Sequence, residues 1–259
     1  MKLNNIKAVV FDLNGTLYQR GILVEGANET IQKLRNSGLQ MSFVTNTDSR
    51  KTIDVHSRLK KMGLDIKLEE LYTPVVAVKT FIENNKGKGI YPLVHDDVKE
   101  ELSELVIFDE SNPDCVVIGD FCDKVSYDEI NKVFRMIKGG AEIIALSKTL
   151  WYKDSDGDSI NTGAFVKMFE MACDTSAQLM GKPSEGFFNM ALQRMETTAD
   201  EALFIGDDVL TDVLGAQKLG AVSVLVKTGV YSEEVLNETE KKPDYILENV
   251  NELLELLNI

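Results

Sequence analysis

Ala8-Val9-Val10-Phe11-Asp12-Leu13-Asn14-Gly15-Thr16-Leu17 decides how the rest of the chain is read. Ala8 to Phe11 is an unbroken apolar run, the pattern of a strand buried on both faces of a parallel sheet. The run ends on a carboxylate, Asp12, and Gly15 then lets the backbone turn away. Ligands of open α/β sheets sit at the carboxyl ends of the strands, which places Asp12 where chemistry is done. The same ending also fits an Asx turn that only closes the strand. Later motifs have to decide between the two.

Outward from this stretch the β-α rhythm repeats. Ala27, Ile31 and Leu34 mark a helix face stopped by Gly38, and Leu39 to Thr45 reads as a strand. Residues 49–62 carry a helical stripe with Gly63 past its end, and Glu70 to Thr73 is a short strand before Pro74 opens a helix. Alternation of this kind predicts a parallel sheet with right-handed crossovers. Asn84 to Gly89 has linker composition. A second block follows to about Met180, with strands at 90–94, 115–118 and 143–146, a polar loop at 153–158 and a helix from about Gly163 to Ala172. Gly181-Lys182-Pro183 then precedes a helix, Ala202 to Ile205 is a strand ending in Gly206-Asp207-Asp208, and Val222 to Val226 and Tyr245 to Leu247 are late strands.

Bulk properties narrow the function. A chain of 259 residues can hold one large domain or a core domain with an insertion. With 44 % hydrophobic and 27 % charged residues, the composition is that of a soluble globular protein. A net charge of −14 argues against a nucleic-acid partner, which needs clustered Lys and Arg. Cys115, Cys122 and Cys173 have no CxxC spacing and read as reduced packing thiols. No apolar run approaches bilayer length, and Met1 to Asn5 is not a signal peptide, so a cytoplasmic protein without a membrane partner is expected.

Three strand ends carry chemistry-bearing residues: Asp12, Thr45 and Asp207, with Lys182 at a loop-to-helix start. In a parallel sheet such ends share one edge. Two carboxylates with a backbone carbonyl and waters form a hard oxygen site suited to Mg²⁺, which also binds substrate phosphate. A Thr hydroxyl and loop N–H groups suit phosphoryl oxygens, and a buried Lys would offset the clustered negative charge. Together these describe in-line phosphoryl transfer to an aspartate.

Asp-Leu-Asn-Gly-Thr-Leu (12–17), Val-Thr-Asn-Thr (44–47), Gly-Lys-Pro (181–183) and Gly-Asp-Asp-x₃-Asp (206–212) occur in the order and spacing of the haloacid dehalogenase superfamily, which the chain resembles over nearly its whole length. The resemblance implies a doubly wound, Rossmann-like α/β core of residues 1–86 and 180–259, with an inserted α/β cap over 87–179 like that of the NagD-like subgroup. It implies a Mg²⁺-dependent phosphatase for a small phosphorylated metabolite. Asp12 would be the nucleophile that forms an aspartyl-phosphate, Thr45 and Asn46 would bind the phosphoryl group, and Lys182 would fix both. Asp12, the Asn14 carbonyl and Asp207 would hold the metal. Asp212 would act from outside the ligand sphere; Asp208 might do so too, or serve only as a helix N-cap. Ser147 and Lys148 in the cap would contact substrate, and caps of this type often form homodimers.

The chain departs from the family at one position. The family's usual motif is Asp-x-Asp, and here Asn14 stands at the second Asp, the residue that protonates the leaving group and later takes a proton from water. Three readings compete. Asn14 is an isosteric replacement introduced to trap substrate; or it is natural; or turnover has been lost and the protein only binds phospho-ligands. The second is preferred, because the chain is also similar to the group of haloacid dehalogenase-like hydrolase domain-containing protein 2 and phospholysine phosphohistidine inorganic pyrophosphate phosphatase, which carry Ser there. Phe43 to Thr47, Trp151-Tyr152-Lys153 and Val226 to Gly229 carry that similarity. Such a site suits good leaving groups or P–N bonds.

Other candidates take plainer readings. Val116 to Asp120 mimics the Gly-Asp motif but falls in the insertion, where a strand and turn are expected. Asp154 to Asp158 lacks EF-hand spacing and reads as a solvated turn. His56 and His95 have no partner pattern, and Trp151 is read either as a substrate contact beside Ser147 and Lys148 or, slightly preferred, as a packing residue.

Overall fold

The computed structural model describes residues 2–121, 126–153 and 157–259; Cys122 and the loop residues Asp154 to Asp156 lie outside the described residues. The chain begins with β1 (Ala8–Asp12), a hairpin of β2 (Tyr18–Gln19) and β3 (Ile22–Leu23), α1 (Ala27–Asn36), β4 (Gln40–Val44), α2 (Thr52–Lys61), β5 (Leu71–Tyr72) and α3 (Pro74–Asn84). Next come β6 (Ile90–Leu93), α4 (Asp96–Ser103), β7 (Cys115–Ile118), α5 (Tyr127–Lys138), β8 (Glu142–Ala145), β9 (Trp151–Lys153), β10 (Asp158–Ile160), α6 (Thr162–Cys173) and β11 (Gln178–Leu179). The rest is α7 (Glu185–Arg194), β12 (Ala202–Gly206), a π turn Val209–Val213 leading into α8 (Leu214–Lys218), β13 (Val222–Val226), α9 (Glu233–Glu238), β14 (Tyr245–Leu247) and α10 (Leu253–Leu257).

Two compact units share this chain: Met1–Thr45, Ile53–Tyr72 and Lys182–Ile259 form the first, Asn46–Thr52 and Thr73–Gly181 the second. The first is built on a six-stranded parallel sheet in the order β14-β13-β12-β1-β4-β5. β1 sits at its centre because all five of its residues are buried. Phe11 stacks on Phe43 of the neighbouring strand with ring centroids 5.3 Å apart, and Ile31, Leu34, Val55 and Leu59 of α1 and α2 join the same core cluster. Each fully buried side chain of this size contributes roughly 1.5–3 kcal/mol. Phe187 and Phe188 of α7 meet Tyr72 and Phe204 in a second aromatic cluster. The chain leaves β1 toward β4 and β5, and later returns on the other side as β12, β13 and β14. That reversal of strand order beside β1 opens the crevice in which sheets of this kind bind ligands.

The second unit carries a parallel sheet in the order β11-β8-β7-β6 and the antiparallel hairpin β9-β10. α3 clusters with it: Lys79 pairs with Glu101 of α4 at 3.0 Å, and the other Glu101 oxygen accepts from the Thr52 backbone N–H at 2.8 Å. The expected helix over 49–62 is shorter, Thr52–Lys61, and the stretch between β1 and α1 contains the β2-β3 hairpin, whose two-residue strands carry no periodic signal. Trp151 is 55 % exposed, against the expectation that it packs. His95 caps α4 by accepting the Asp97 N–H, and the His56 ring pairs with the Ile66 carbonyl. Cys115 and Cys173 are free thiols, and among the described residues no helix is long and apolar enough to cross a membrane.

Asp48 gives the second unit a pH-sensitive contact. It is buried, accepts from the Thr162 hydroxyl at 2.9 Å, and feels the charge of Asp120. Burial first, then Asp120, pushes its carboxyl up to about 7 against the hydrogen bond's opposing pull. A carboxyl raised on folding favours the folded state below its unfolded value, and that contribution is lost as pH climbs through about 7. Asp48→Asn keeps an acceptor for Thr162 without the titration. The variant should gain on the native protein by about 2 kcal/mol, a few degrees in Tm, between pH 5 and 8. Thermal melts at both pH values check this, and a pH-independent difference would refute it.

Candidate active site

The site begins where β1 ends. Asp12 is in register with Val44, the last residue of β4, so Thr45 follows at the same edge, while Asp207 follows the last residue of β12. Asp12 Oδ1 accepts from Lys182 Nζ at 2.5 Å and its Oδ2 accepts from the Thr16 hydroxyl at 3.0 Å. Thr16 also reaches Asp207 Oδ1 at 3.4 Å. Lys182 spans Asp12 and Asp212, donating to Asp212 Oδ1 at 2.7 Å, and stands three residues before the start of α7, which Ser184 caps. All four charged groups are buried.

So much charge with so little water shifts the ionisation of its members. Burial, and then the negative charge of Asp12, push Asp207 up to about 7. Asp212 is pushed up to about 8 by burial, with Lys182 opposing and Asp12 adding to the rise. For Lys182 burial works against the charged form, but the carboxylates of Asp12 and Asp212 outweigh it and hold the ammonium charged. One cation cannot balance three ionised carboxylates, which is why Asp207 and Asp212 resist ionising until a further cation joins them. Asp12, Asp207 and Asp212 each offer an oxygen, all within 4.8 Å of one another. Hard oxygen donors with surplus negative charge fit Mg²⁺.

Two glycines make room for this cluster. Gly15 lies at φ +98° and Gly229 at φ +62°, and a Cβ at either would fall on the Asp207 carboxylate. The Thr228 hydroxyl donates to the Gly15 carbonyl, tying the two turns together, and Val230 N–H donates to Asp207 Oδ2 at 2.7 Å. Gly229→Ala therefore combines left-handed strain with displacement of a carboxylate. Its kcat/KM should fall by about 10²-fold, as ~1 Å misplacements do, and its stability by about 1–3 kcal/mol. Steady-state kinetics and melting check this; activity within twofold of native would show that Asp207 needs no such clearance.

The other expected residues fall as follows. Asn14 is exposed, and its backbone bridges to Tyr18. Thr45 is buried, with its N–H on the Tyr72 carbonyl at 3.2 Å. Asn46, Ser147 and Lys148 belong to the second unit. Ser147 is buried with its Oγ accepting from Thr149 N–H, and Lys148 pairs with Glu170 at 2.7 Å. Asp208 takes the N-cap alternative, its Oδ1 accepting from Leu210 and Thr211 N–H at 2.8 and 3.2 Å. Asp212, expected outside the ligand sphere, lies in the carboxylate cluster itself. The intervening π turn brings Asp212 Oδ2 back onto the Asp208 N–H at 3.2 Å.

Sequence reasoning missed Thr16, Thr228 and Gly229. Thr16 lies inside the first motif with no role attached, and Val226 to Gly229 was noted only for its similarity. A Thr-Gly pair directly after a buried strand was the available signal.

A family model for haloacid dehalogenase-like hydrolases matches residues 9–107, and a second, described as HAD-hydrolase-like, matches 179–253. Haloacid dehalogenase-like hydrolase domain-containing protein 2 of Mus musculus is 38 % identical over 235 residues, covering 90 % of this chain and 89 % of its own. Phospholysine phosphohistidine inorganic pyrophosphate phosphatase of Xenopus laevis is 33 % identical over 263 residues, covering 98 % of this chain and 95 % of its own. Among solved structures, NagD of E. coli K-12 aligns with a TM-score of 0.88 at 26 % identity, covering 96 % of this chain and 98 % of that one.

Proposed function

The chain belongs to the haloacid dehalogenase-like hydrolases, and we propose that it is a Mg²⁺-dependent phosphatase that acts on a small phosphorylated metabolite through Asp12. One observation carries this reading: a buried carboxylate at the central strand's end, held on one oxygen by Lys182 and on the other by Thr16, beside two further carboxylates.

Asp12 attacks phosphorus with a carboxylate oxygen. The new bond joins that oxygen to phosphorus, the ester P–O bond breaks, and the leaving group departs with its electron pair. Water then attacks the aspartyl-phosphate and releases phosphate and free Asp12. Lys182 offsets the charge that accumulates on the phosphoryl oxygens, and Thr16 orients the nucleophile. Thr45 and Asn46 bind the phosphoryl group. Asp12, Asp207 and the Asn14 carbonyl, with Asp212 beside them, would hold Mg²⁺, which would supply further charge neutralisation. The core is taken as residues 1–86 and 180–259 and the cap as 87–179, with Ser147 and Lys148 as substrate contacts.

Asn14 has no proton to give at neutral pH and cannot accept one from water. The site therefore favours esters with good leaving groups, or P–N bonds whose nitrogen takes its proton from the substrate or water; the Xenopus laevis relative's name specifies phospholysine, phosphohistidine and pyrophosphate. The rival reading, a silent phospho-ligand-binding protein, rests on the same residue. With p-nitrophenyl phosphate and Mg²⁺ the protein should release p-nitrophenolate, and EDTA should reduce the rate to background. Absence of turnover on this ester and on a panel of phosphoramidates, with phosphate binding retained, would favour the silent reading.

A further inference from the structure

The first unit contains a cavity of about 300 Å³ that phosphoryl transfer leaves unused. It lies toward the amino ends of the strands, whereas Asp12 is at their carboxyl ends: Gln40 and Ser42 of β4 line it, and Gln40 is five residues before Thr45. At ~3.3 Å per residue that places its far wall roughly 16 Å from the site edge. Ser42 is buried at a position where parallel strands take Val, Ile or Leu. Ala191 of α7 also lines the cavity, and two small side chains in its walls leave the space unfilled.

Charge gives the cavity a sign. Arg35, Lys67 and Arg194 line it against Glu69 and Glu70, a positive surplus on a chain of net charge −14. Arg35 and Glu70 satisfy each other: Arg35 Nη2 donates to both Glu70 oxygens at 2.8 and 3.1 Å. Arg35 Nε–H, however, is buried without an acceptor among the described residues. Arg194 is held in place, donating from Nη2 to the Glu69 carbonyl at 3.0 Å with its guanidinium 5.5 Å from the Tyr72 ring centre. Only the exposed Glu69 carboxylate remains to balance Lys67 and Arg194. Cationic groups around an apolar wall of Met41, Ala191 and Met195 suit an oxyanion on a compact organic body, and the volume matches the small end of ligand pockets.

We propose that this cavity is a second binding site, for a small organic anion with one carboxylate or phosphate group on a ring-sized apolar body. The proposal does not rest on the phosphatase reading. Its test is a titration of the Mg²⁺-loaded protein with benzoate, phenylphosphonate and inorganic phosphate, followed by calorimetry and amide ¹H–¹⁵N shifts. Benzoate or phenylphosphonate should bind and shift the amides of residues 40–42 and 191–195; whichever binds tighter identifies the headgroup. Arg194→Ala and Lys67→Ala should each weaken binding at least tenfold without changing p-nitrophenyl phosphate turnover. Ala191→Leu should abolish binding by filling the cavity; if it fails to fold, the two surface variants still decide. In Asp12→Asn the shifts at 40–42 and 191–195 should persist. No binding at millimolar concentration, binding insensitive to Arg194→Ala and Lys67→Ala, shifts lost in Asp12→Asn, or inorganic phosphate shifting the amides of 40–42 and 191–195 at concentrations as low as the organic probes would overturn the proposal.

Discussion

Asn14→Asp should raise phosphate-ester turnover by roughly 10²–10⁴-fold, the usual contribution of a positioned general acid–base. Asn14 is two residues beyond Asp12 in a turn fixed by the Gly15 N–H to Tyr18 carbonyl bond at 2.7 Å, so an Asp there inherits a defined position. The side chain is exposed, so the change should cost little stability. Tyr18 cannot replace the missing base. Burial, and then the charge of Asp12, raise its phenol above the usual value, so it stays protonated at neutral pH. The gain in kcat/KM, which reports the first step, should be largest for alkyl phosphates, whose alkoxide leaving groups need a proton, and smallest for p-nitrophenyl phosphate. Rates measured across leaving groups of graded pKa should therefore fall steeply with pKa in the native protein and only shallowly in the variant. Parallel slopes would mean that Asn14 does not occupy the acid–base position.

The central strand was legible because burial on both faces demands an uninterrupted apolar run, and Ala8 to Phe11 supply one. Asp12 and Asp207 were legible for a related reason: a carboxylate directly after such a run is expensive to bury without a task. Thr16 was not. A hydroxyl that bridges Asp12 and Asp207 has the same local sequence as one that merely ends a turn, and only the pairing of β1 with β12 brings Asp207 within reach. Gly229 was hidden similarly, since its need for a bare Cα comes from Asp207, which lies on another strand's end. Asp212 was named, but its closeness to Asp12 and Asp207 was not legible, because spacing along the chain says nothing of how a π turn redirects a side chain. Trp151 was misjudged because an aromatic in a two-stranded hairpin need not have a second layer over it.

Asp12→Asn should abolish turnover, by about 10⁴-fold or more as loss of a nucleophile does, while leaving the fold intact. Lys182 keeps Asp212 at 2.7 Å, so no buried cation is left unpaired. Removing one charge from a crowded carboxylate cluster also relieves repulsion, and the raised pKa values of Asp207 and Asp212 should fall because the Asp12 charge helps to raise both. Stability should therefore be nearly unchanged at neutral pH, which separates this variant from one that fails by unfolding. Asn14 makes the covalent step visible. If Asp12 takes the phosphoryl group as proposed, p-nitrophenolate leaves without a proton and phosphorylation should be fast, whereas attack of water on the aspartyl-phosphate would lack its base and should limit the cycle. Rapid mixing should give a burst approaching one p-nitrophenolate per chain, with an acid-stable, hydroxylamine-labile phosphate on the protein. Asn14→Asp should shrink the burst by accelerating the second step, and Asp12→Asn should abolish both burst and label. A burst that survives in Asp12→Asn would assign the nucleophile to another side chain and leave the cluster of Asp12, Asp207 and Asp212 as a metal site alone.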